Sequence, residues 1–120
     1  MSTIQSYKDL IIWQKGILLV KVIYSNLDNF PKNEVFGLIS QIKRSAVSIP
    51  SNIAEGWGRD STQSYIHFLR IARGSLYELE TQIIIAKELN FIDEIRFTEI
   101  SNIITEESKM LNAFIKSLNK

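Results

Sequence analysis

The stretch QIKRSAVSIPSNIAEGWGRDS, Gln41–Ser61, carries two helical stripes at once and runs both of them through a proline. Val35, Ile39, Ile42, Ala46, Ile49 and Ile53 recur at steps of three and four, the spacing of a helix seam buried against other helices. Gln41, Arg44, Ser48, Ser51 and Glu55 keep the same steps on a neighbouring face. Such a helix has a core side and a second, hydrogen-bonding side that needs a partner. The apolar seam crosses Pro50 without slipping phase, which favours a kinked but continuous helix over about 34–55. The alternative is a helix that ends near Ile49 and a new one opening at Pro50, where proline suits a first turn. An interior proline removes one backbone hydrogen bond and crowds the carbonyl four residues earlier, here Ala46, at a cost of about 3 kcal/mol. Ser51, Asn52, water or a neighbouring chain would then satisfy that carbonyl. Gly56 and Gly58, around Trp57, supply the stop and the turn.

Outward from this segment the same periodicity recurs. Leu10, Trp13, Ile17, Val20, Tyr24 and Leu27 step by three and four, with Ile11, Leu18, Val22 and Ile23 widening the face, and predict a helix over about 7–27. Asp28, Asn29 and Pro31 stop it. After Asp60, whose spacing to Gln63 resembles a capping box while Ser61 offers an alternative cap, a third helix spans about 61–89. Its seam is Tyr65, Leu69, Ala72, Leu76, Leu79, Ile83 and Ala86. A fourth, about 93–118, opens on Asp93 and Glu94, which suit the positive end of a helix. Its seam is Phe97, Ile100, Ile104, Glu107, Leu111, Phe114 and Leu118; Glu107 breaks the pattern, and Ile103 and Met110 are expected to cover that level. No segment alternates strictly. Four amphipathic helices joined by short loops predict an all-α, antiparallel up-down-up-down four-helix bundle occupying the single domain 1–120.

Bulk composition excludes more than it assigns. The 120 residues carry 14 basic and 13 acidic side chains, so nucleic-acid binding would depend on local clustering. Cysteine is absent, which rules out disulfides and thiolate metal sites and fits a reducing cytoplasm. The start, MSTIQSYKDL, lacks the pattern of a secretory signal, and no apolar run reaches the roughly 20 residues of a membrane span. A cytoplasmic protein without membrane partners is expected. His67 is the lone histidine and has no carboxylate three residues before it, so the di-metal pattern of ferritin-like bundles is missing. Gly56-Trp57-Gly58 lacks the rest of a dinucleotide motif, and adjacent Glu106 and Glu107 point about 100° apart on a helix. A non-enzymatic protein with no cofactor, metal site or catalytic residue is the expectation.

Two constellations remain. Ile71, Ser75, Glu78, Gln82 and Ile85 form a mixed stripe on the third helix that matches the polar stripe of the second. If the two faces meet, Arg44 pairs with Glu78 or Glu55, and Gln41, Ser48, Asn52 and Gln82 close a network that fixes register or a subunit interface. Lys43, Arg59, Arg70 and Arg73 lie on these helices or their turn, with Trp57, Tyr65 and His67 near enough to stack on bases. Their plain reading is solvated charge offset by Glu55, Asp60, Glu78 and Glu80. Gly74, mid-way along the third helix, either relieves crowding or admits another backbone. Trp57 is either a cap over the bundle end or a subunit contact.

FPKNEVFGLISQIKRSAVSIPSNIAEGWGR followed by FLRIARGSLYELETQI resembles the bacterial 23S rRNA intervening-sequence protein family, and DLIIWQKGILLVKVIY and SKMLNAFIKSL also fit it. The resemblance runs from Lys8 to nearly the end of the chain. Its signature falls on Gln41, Arg44, Ser48, Pro50, Asn52, Glu55, Gly56 and Arg59, then on Gly74, Ser75, Leu76, Glu78, Leu79, Thr81 and Gln82. Arg73 departs from it, standing where a smaller or apolar residue is usual. The resemblance implies a four-helix bundle assembled as a homopentameric ring. It also implies kinship with the accessory protein of diversity-generating retroelements, and hence association with RNA, DNA or a nucleic-acid enzyme. The alternative is a protein–protein scaffold ring that ignores nucleic acid.

Overall fold

The computed structural model describes residues 4–119. The Ser6 hydroxyl accepts from the Lys8 amide at 3.1 Å while its own amide donates to Asp9 Oδ2 at 3.2 Å. This pair closes a single 3-10 turn, Tyr7–Asp9, and the extended Leu10 separates it from helix α1, Ile11–Ser25. A second 3-10 turn, Lys32–Glu34, precedes α2, Leu38–Trp57. Helices α3, Thr62–Glu88, and α4, Glu94–Leu118, complete an all-α chain with no strand among the described residues. None of the helices is long and apolar enough to cross a membrane.

Pairings along the helices give the topology. Lys43 stands over Tyr24 and Pro50 beside Gly16, so α2 runs back along α1. Ser45 meets Glu78, Ser48 meets Ser75 and Gly56 meets Tyr65, reversing α3 on α2. Arg73 meets Asn112 and Lys87 meets Glu94, reversing α4 on α3. Lys15 and Glu106 close the ring of neighbours between α1 and α4. The α2–α3 contact is the most extensive of the four and the α1–α4 contact the least. The bundle measures 45 × 26 × 22 Å.

Helix α2 passes through Pro50 unbroken, and Ile42, Ala46, Ile49 and Ile53 are fully buried on both sides of it. It begins later than the spacing predicts, because the Glu34 carboxylate accepts from the Leu38 amide at 3.0 Å and starts the helix there. Val35 therefore falls outside the seam and is 48% exposed. Gly56 belongs to the helix rather than to its stop. A Cβ there would lie 2.9 Å from Tyr65 Cδ1 and 3.0 Å from Phe68 Cβ, so glycine permits the close approach of α3. Ser61, not Asp60, caps α3, accepting from the Ser64 amide at 3.1 Å. Asn90, at φ 63°, ends α3 with the Phe91 amide reaching back to the Ala86 carbonyl at 2.8 Å and the Asn90 amide to Lys87 at 2.9 Å. Asp93 caps α4 through the Arg96 amide at 2.8 Å, as its position predicts.

Two faces differ from the sequence reading. In α1 the buried column is Ile12, Gly16, Leu19 and Ile23; Trp13, Ile17 and Val20 are half-buried, and Tyr24 is exposed. This helix is apolar around most of its circumference, so periodicity cannot choose its inner face. In α4 the seam is not relieved at Glu107. The side chain keeps its seam position and is 0% exposed, while Ile103 and Met110 are only half-buried.

Candidate nucleic-acid interface

The polar stripes of α2 and α3 do meet, through different partners from those the spacing suggests. Ser45 Oγ, nearly fully buried, donates to Glu78 Oε1 at 3.1 Å. Ser48 and Ser75 share a hydroxyl–hydroxyl bond of 2.8 Å, and Asn52 Nδ2 donates to the Ser48 carbonyl at 2.8 Å and to its hydroxyl at 2.9 Å. Glu55 pairs at 3.1 Å with Arg59 in the turn that follows α2. Arg44 and Gln41 are exposed, and among the described residues neither Glu78 nor Glu55 forms an ion pair with Arg44. Gln82 is buried, with its carbonyl oxygen unpartnered. Asn52 turns to Ser48 rather than to the Ala46 carbonyl that Pro50 leaves short of a donor. Ser45 was legible as a serine beside the Ile42–Ala46 seam, where a buried hydroxyl must find an acceptor.

Trp57 is half-buried and sits edge-on to Tyr65, which in turn packs edge-on to Phe114. The Tyr65 hydroxyl is buried without a partner, and burial pushes its phenol up to about 12. The indole thus folds over the end of the bundle. Both rings are half-buried in this cluster. Gly74 is exposed, and a Cβ there would meet nothing within 4 Å, so crowding inside the chain does not account for it.

The four cations singled out from the sequence divide by place. Lys43 Nζ lies 5.1 Å from the Tyr24 ring centre on the α1–α2 side. Arg59, in the α2–α3 turn, covers the Phe68 ring at 4.5 Å while holding Glu55. Arg70 and Arg73 stand together on the α3–α4 side, where Arg73 Nη1 donates to Asn112 Oδ1 at 2.9 Å. That bond aligns them with a basic column on α4 that sequence reasoning missed. Lys109 and Lys116 flank Asn112 by three and four residues, so all three share its face, and both lysines are exposed. Residues 63–77 of α3, and 108–118 of α4 with Asn119 after it, contain no side-chain carboxylate. Gln63, Arg70 and Asn119 line a shallow hollow of about 310 Å³ at the end of this face. At its other end Tyr77 is exposed, and hydrogen bonding from Asn112 and Ser108 holds its hydroxyl below the usual phenol range. Two acid-free runs were the available signal. Only the packing of α3 on α4 shows that they form one surface.

Comparison with known proteins bears on the family and the fold. No curated protein matches the chain. A crystal structure of a protein with unknown function from the S23 ribosomal protein family of Bacteroides thetaiotaomicron VPI-5482 superposes with a TM-score of 0.80 at 28% sequence identity. It covers 88% of this chain and 99% of its own. Residues 8–113 match the family described as 23S rRNA-intervening sequence protein, a span that takes in nearly every element described above. The chain belongs to the 23S rRNA-intervening sequence protein family.

Proposed function

We propose that this protein is a non-enzymatic, self-associating bundle of the cytoplasm that binds RNA or DNA, alone or with a nucleic-acid enzyme, through its α3–α4 face. The observation that carries the reading is the acid-free half of that face, where Arg70, Arg73, Lys109 and Lys116 surround Asn112 and Asn119. Four cations that form no ion pair among the described residues concentrate positive potential that a net charge of +1 conceals. Phosphate contacts from such a column give affinity without sequence preference, and the exposed Tyr77 ring adds a platform on which a base can stack. Assembly multiplies the effect, since each subunit of a ring, five in the pentamer that the family resemblance implies, repeats the same patch. Lys43 and Arg59 stand apart from this column and contribute only if the assembly brings them near it.

The test is binding of RNA and of DNA by purified, nuclease-treated protein across a salt series, with mass in solution measured in the same samples. The double substitution R70E/R73E is expected to weaken binding more than tenfold and to flatten the salt slope by about two, with mass unchanged. Equal affinity in variant and parent refutes the face.

A second reading, a scaffold that holds protein alone, draws on the apolar side chains left outside the core. Phe36 is 97% exposed and Ile11 67%, with Val35 and Tyr24 near Phe36 along the α1–α2 groove. Absence of nucleic-acid binding at low salt, with oligomer intact, favours that reading.

A further inference from the structure

Three residues that each weaken their own helix meet at one level of the core. Gly16 lies within α1, Pro50 interrupts the hydrogen-bond ladder of α2, and Glu107 puts a carboxyl into the buried seam of α4. A Cβ on Gly16 would stand 3.3 Å from Glu107 Oε2, 3.4 Å from Pro50 Cβ and 3.5 Å from Pro50 Cδ. The carboxyl therefore uses space that a larger side chain at position 16 would claim, and the proline ring closes the far side. It is fully buried, and neither of its oxygens has a hydrogen-bond partner. A neutral carboxylic acid tolerates such a place and a carboxylate does not. Burial accordingly pushes Glu107 up to about 8, against the opposing pull of Lys15.

The charged groups around it are few. From α1 comes Lys15, whose Nζ is already held by Glu106 Oε2 at 3.0 Å. Glu106 is the preceding residue of α4 and points at that lysine. The charged groups and the histidine of the other two helices, Lys43, Arg44 and Glu55 on α2 and His67, Arg70, Arg73, Glu78, Glu80, Lys87 and Glu88 on α3, are exposed or half-buried rather than in the core. The nearest relief for a negative charge is thus the Lys15 ammonium at the rim of the α1–α4 seam. That seam is the least extensive of the four helix contacts. One turn along from Glu107 it opens into an apolar cleft of about 560 Å³ lined by Leu10, Ile12, Met110 and Phe114.

We propose that Glu107, Gly16 and Pro50 form a proton-operated latch on the α1–α4 seam. With its proton, Glu107 rests against Gly16 and Pro50 and the seam is closed. When the proton passes to solvent, the carboxylate leaves the core for the Lys15 ammonium, α1 and α4 part, and the apolar cleft widens. The closed state holds one more proton than the open state, so opening becomes easier as pH rises from the ordinary carboxylate range to about 8, then levels off.

Hydrogen exchange of the full chain between pH 5 and 9, in parent and E107Q, tests the latch. In the parent, protection of α1 and α4 amides should fall about tenfold per pH unit up to about pH 8, while the central amides of α2 and α3 hold constant. In E107Q all four helices should be flat. A carbon-13 titration of the Glu107 carboxyl in the parent should show the same upper limit, and it stands even if E107Q fails to fold. Titration of Glu107 in the ordinary carboxylate range overturns the proposal. So does protection in α1 and α4 that ignores pH in the parent, or that falls equally in E107Q.

Discussion

The α2–α3 and α1–α4 seams are both antiparallel with apolar interiors, yet most polar groups are satisfied in the first and a whole carboxyl is orphaned in the second. Between α2 and α3 the hydroxyls of Ser45, Ser48 and Ser75 and the Asn52 amide find partners, the buried Gln82 oxygen on α3 being the exception, and Gly56 lets the backbones approach closely. Between α1 and α4 a carboxyl lies in the core with no partner, its one nearby cation is engaged elsewhere, and an apolar cleft follows within a turn. Satisfied polar contacts specify one register and hold it. An orphaned acid leaves its seam only conditionally stable, with the solvent proton concentration as the condition. One bundle thus has a fixed side and an adjustable side.

The largest expected effect tests the adjustable side. E107M removes the cost of keeping a proton on the buried carboxyl, and at pH 7 it should raise unfolding free energy by about 3 kcal/mol in urea titrations. The sign follows from a folded-state pKa raised to about 8, above that of the unfolded chain. The folded protein binds more protons between the two values, so the parent loses stability as pH rises through that window, by up to about 1.4 kcal/mol per unit. E107M should lack the slope. A variant less stable than the parent at pH 7 would erase the contrast between the seams.

On the fixed side, G56A drives a methyl against Tyr65 and Phe68 and should cost about 2 kcal/mol, measured by thermal unfolding. G74A sharpens the comparison because its sign reverses. With open space around it, alanine should stabilise α3 by about 1 kcal/mol. If G74A also lowers the mass in solution, a neighbouring subunit's backbone meets Gly74. The smallest effect belongs to the Ser48–Ser75 bond. A double-mutant cycle with alanine should return a coupling of about 1 kcal/mol or less. A coupling near zero would show that the polar bridge specifies register without adding stability.

Much of the fixed side was legible in the residues. The three-and-four spacing of α2 held its phase through Pro50, and the seam from Leu69 to Ala86 is buried throughout. The serines of the second stripe do face α3, although Ser45 rather than Arg44 takes Glu78, because the short buried hydroxyl is the group that cannot turn to water. The α1–α4 side was much less legible. Periodicity in α1 chose Trp13, Ile17 and Val20 where Ile12, Gly16 and Leu19 are buried, since a helix apolar all round has no single preferred face. Glu107 read as an interruption because charge predicts exposure, and the rule fails where the helix cannot rotate without losing Ile104 and Leu111 from the core. The basic column was half-visible, as Arg70 and Arg73, until α4 brought Lys109 and Lys116 beside them.

The sequence by itself determined four helices, the cap at Asp93, the inner faces of α2 and α3, and membership in a family, while the choice of Ser61 over Asp60 as the cap of α3 came from the structure. Each of these depends on residues within a few turns of one another, or on a pattern that is itself linear. Tertiary structure alone decided that Gly16, Pro50 and Glu107 share one level, and that two acid-free runs from different helices make one surface. Burial and electrostatic potential are sums over neighbours in space, and for these residues the neighbours lie tens of positions away along the chain.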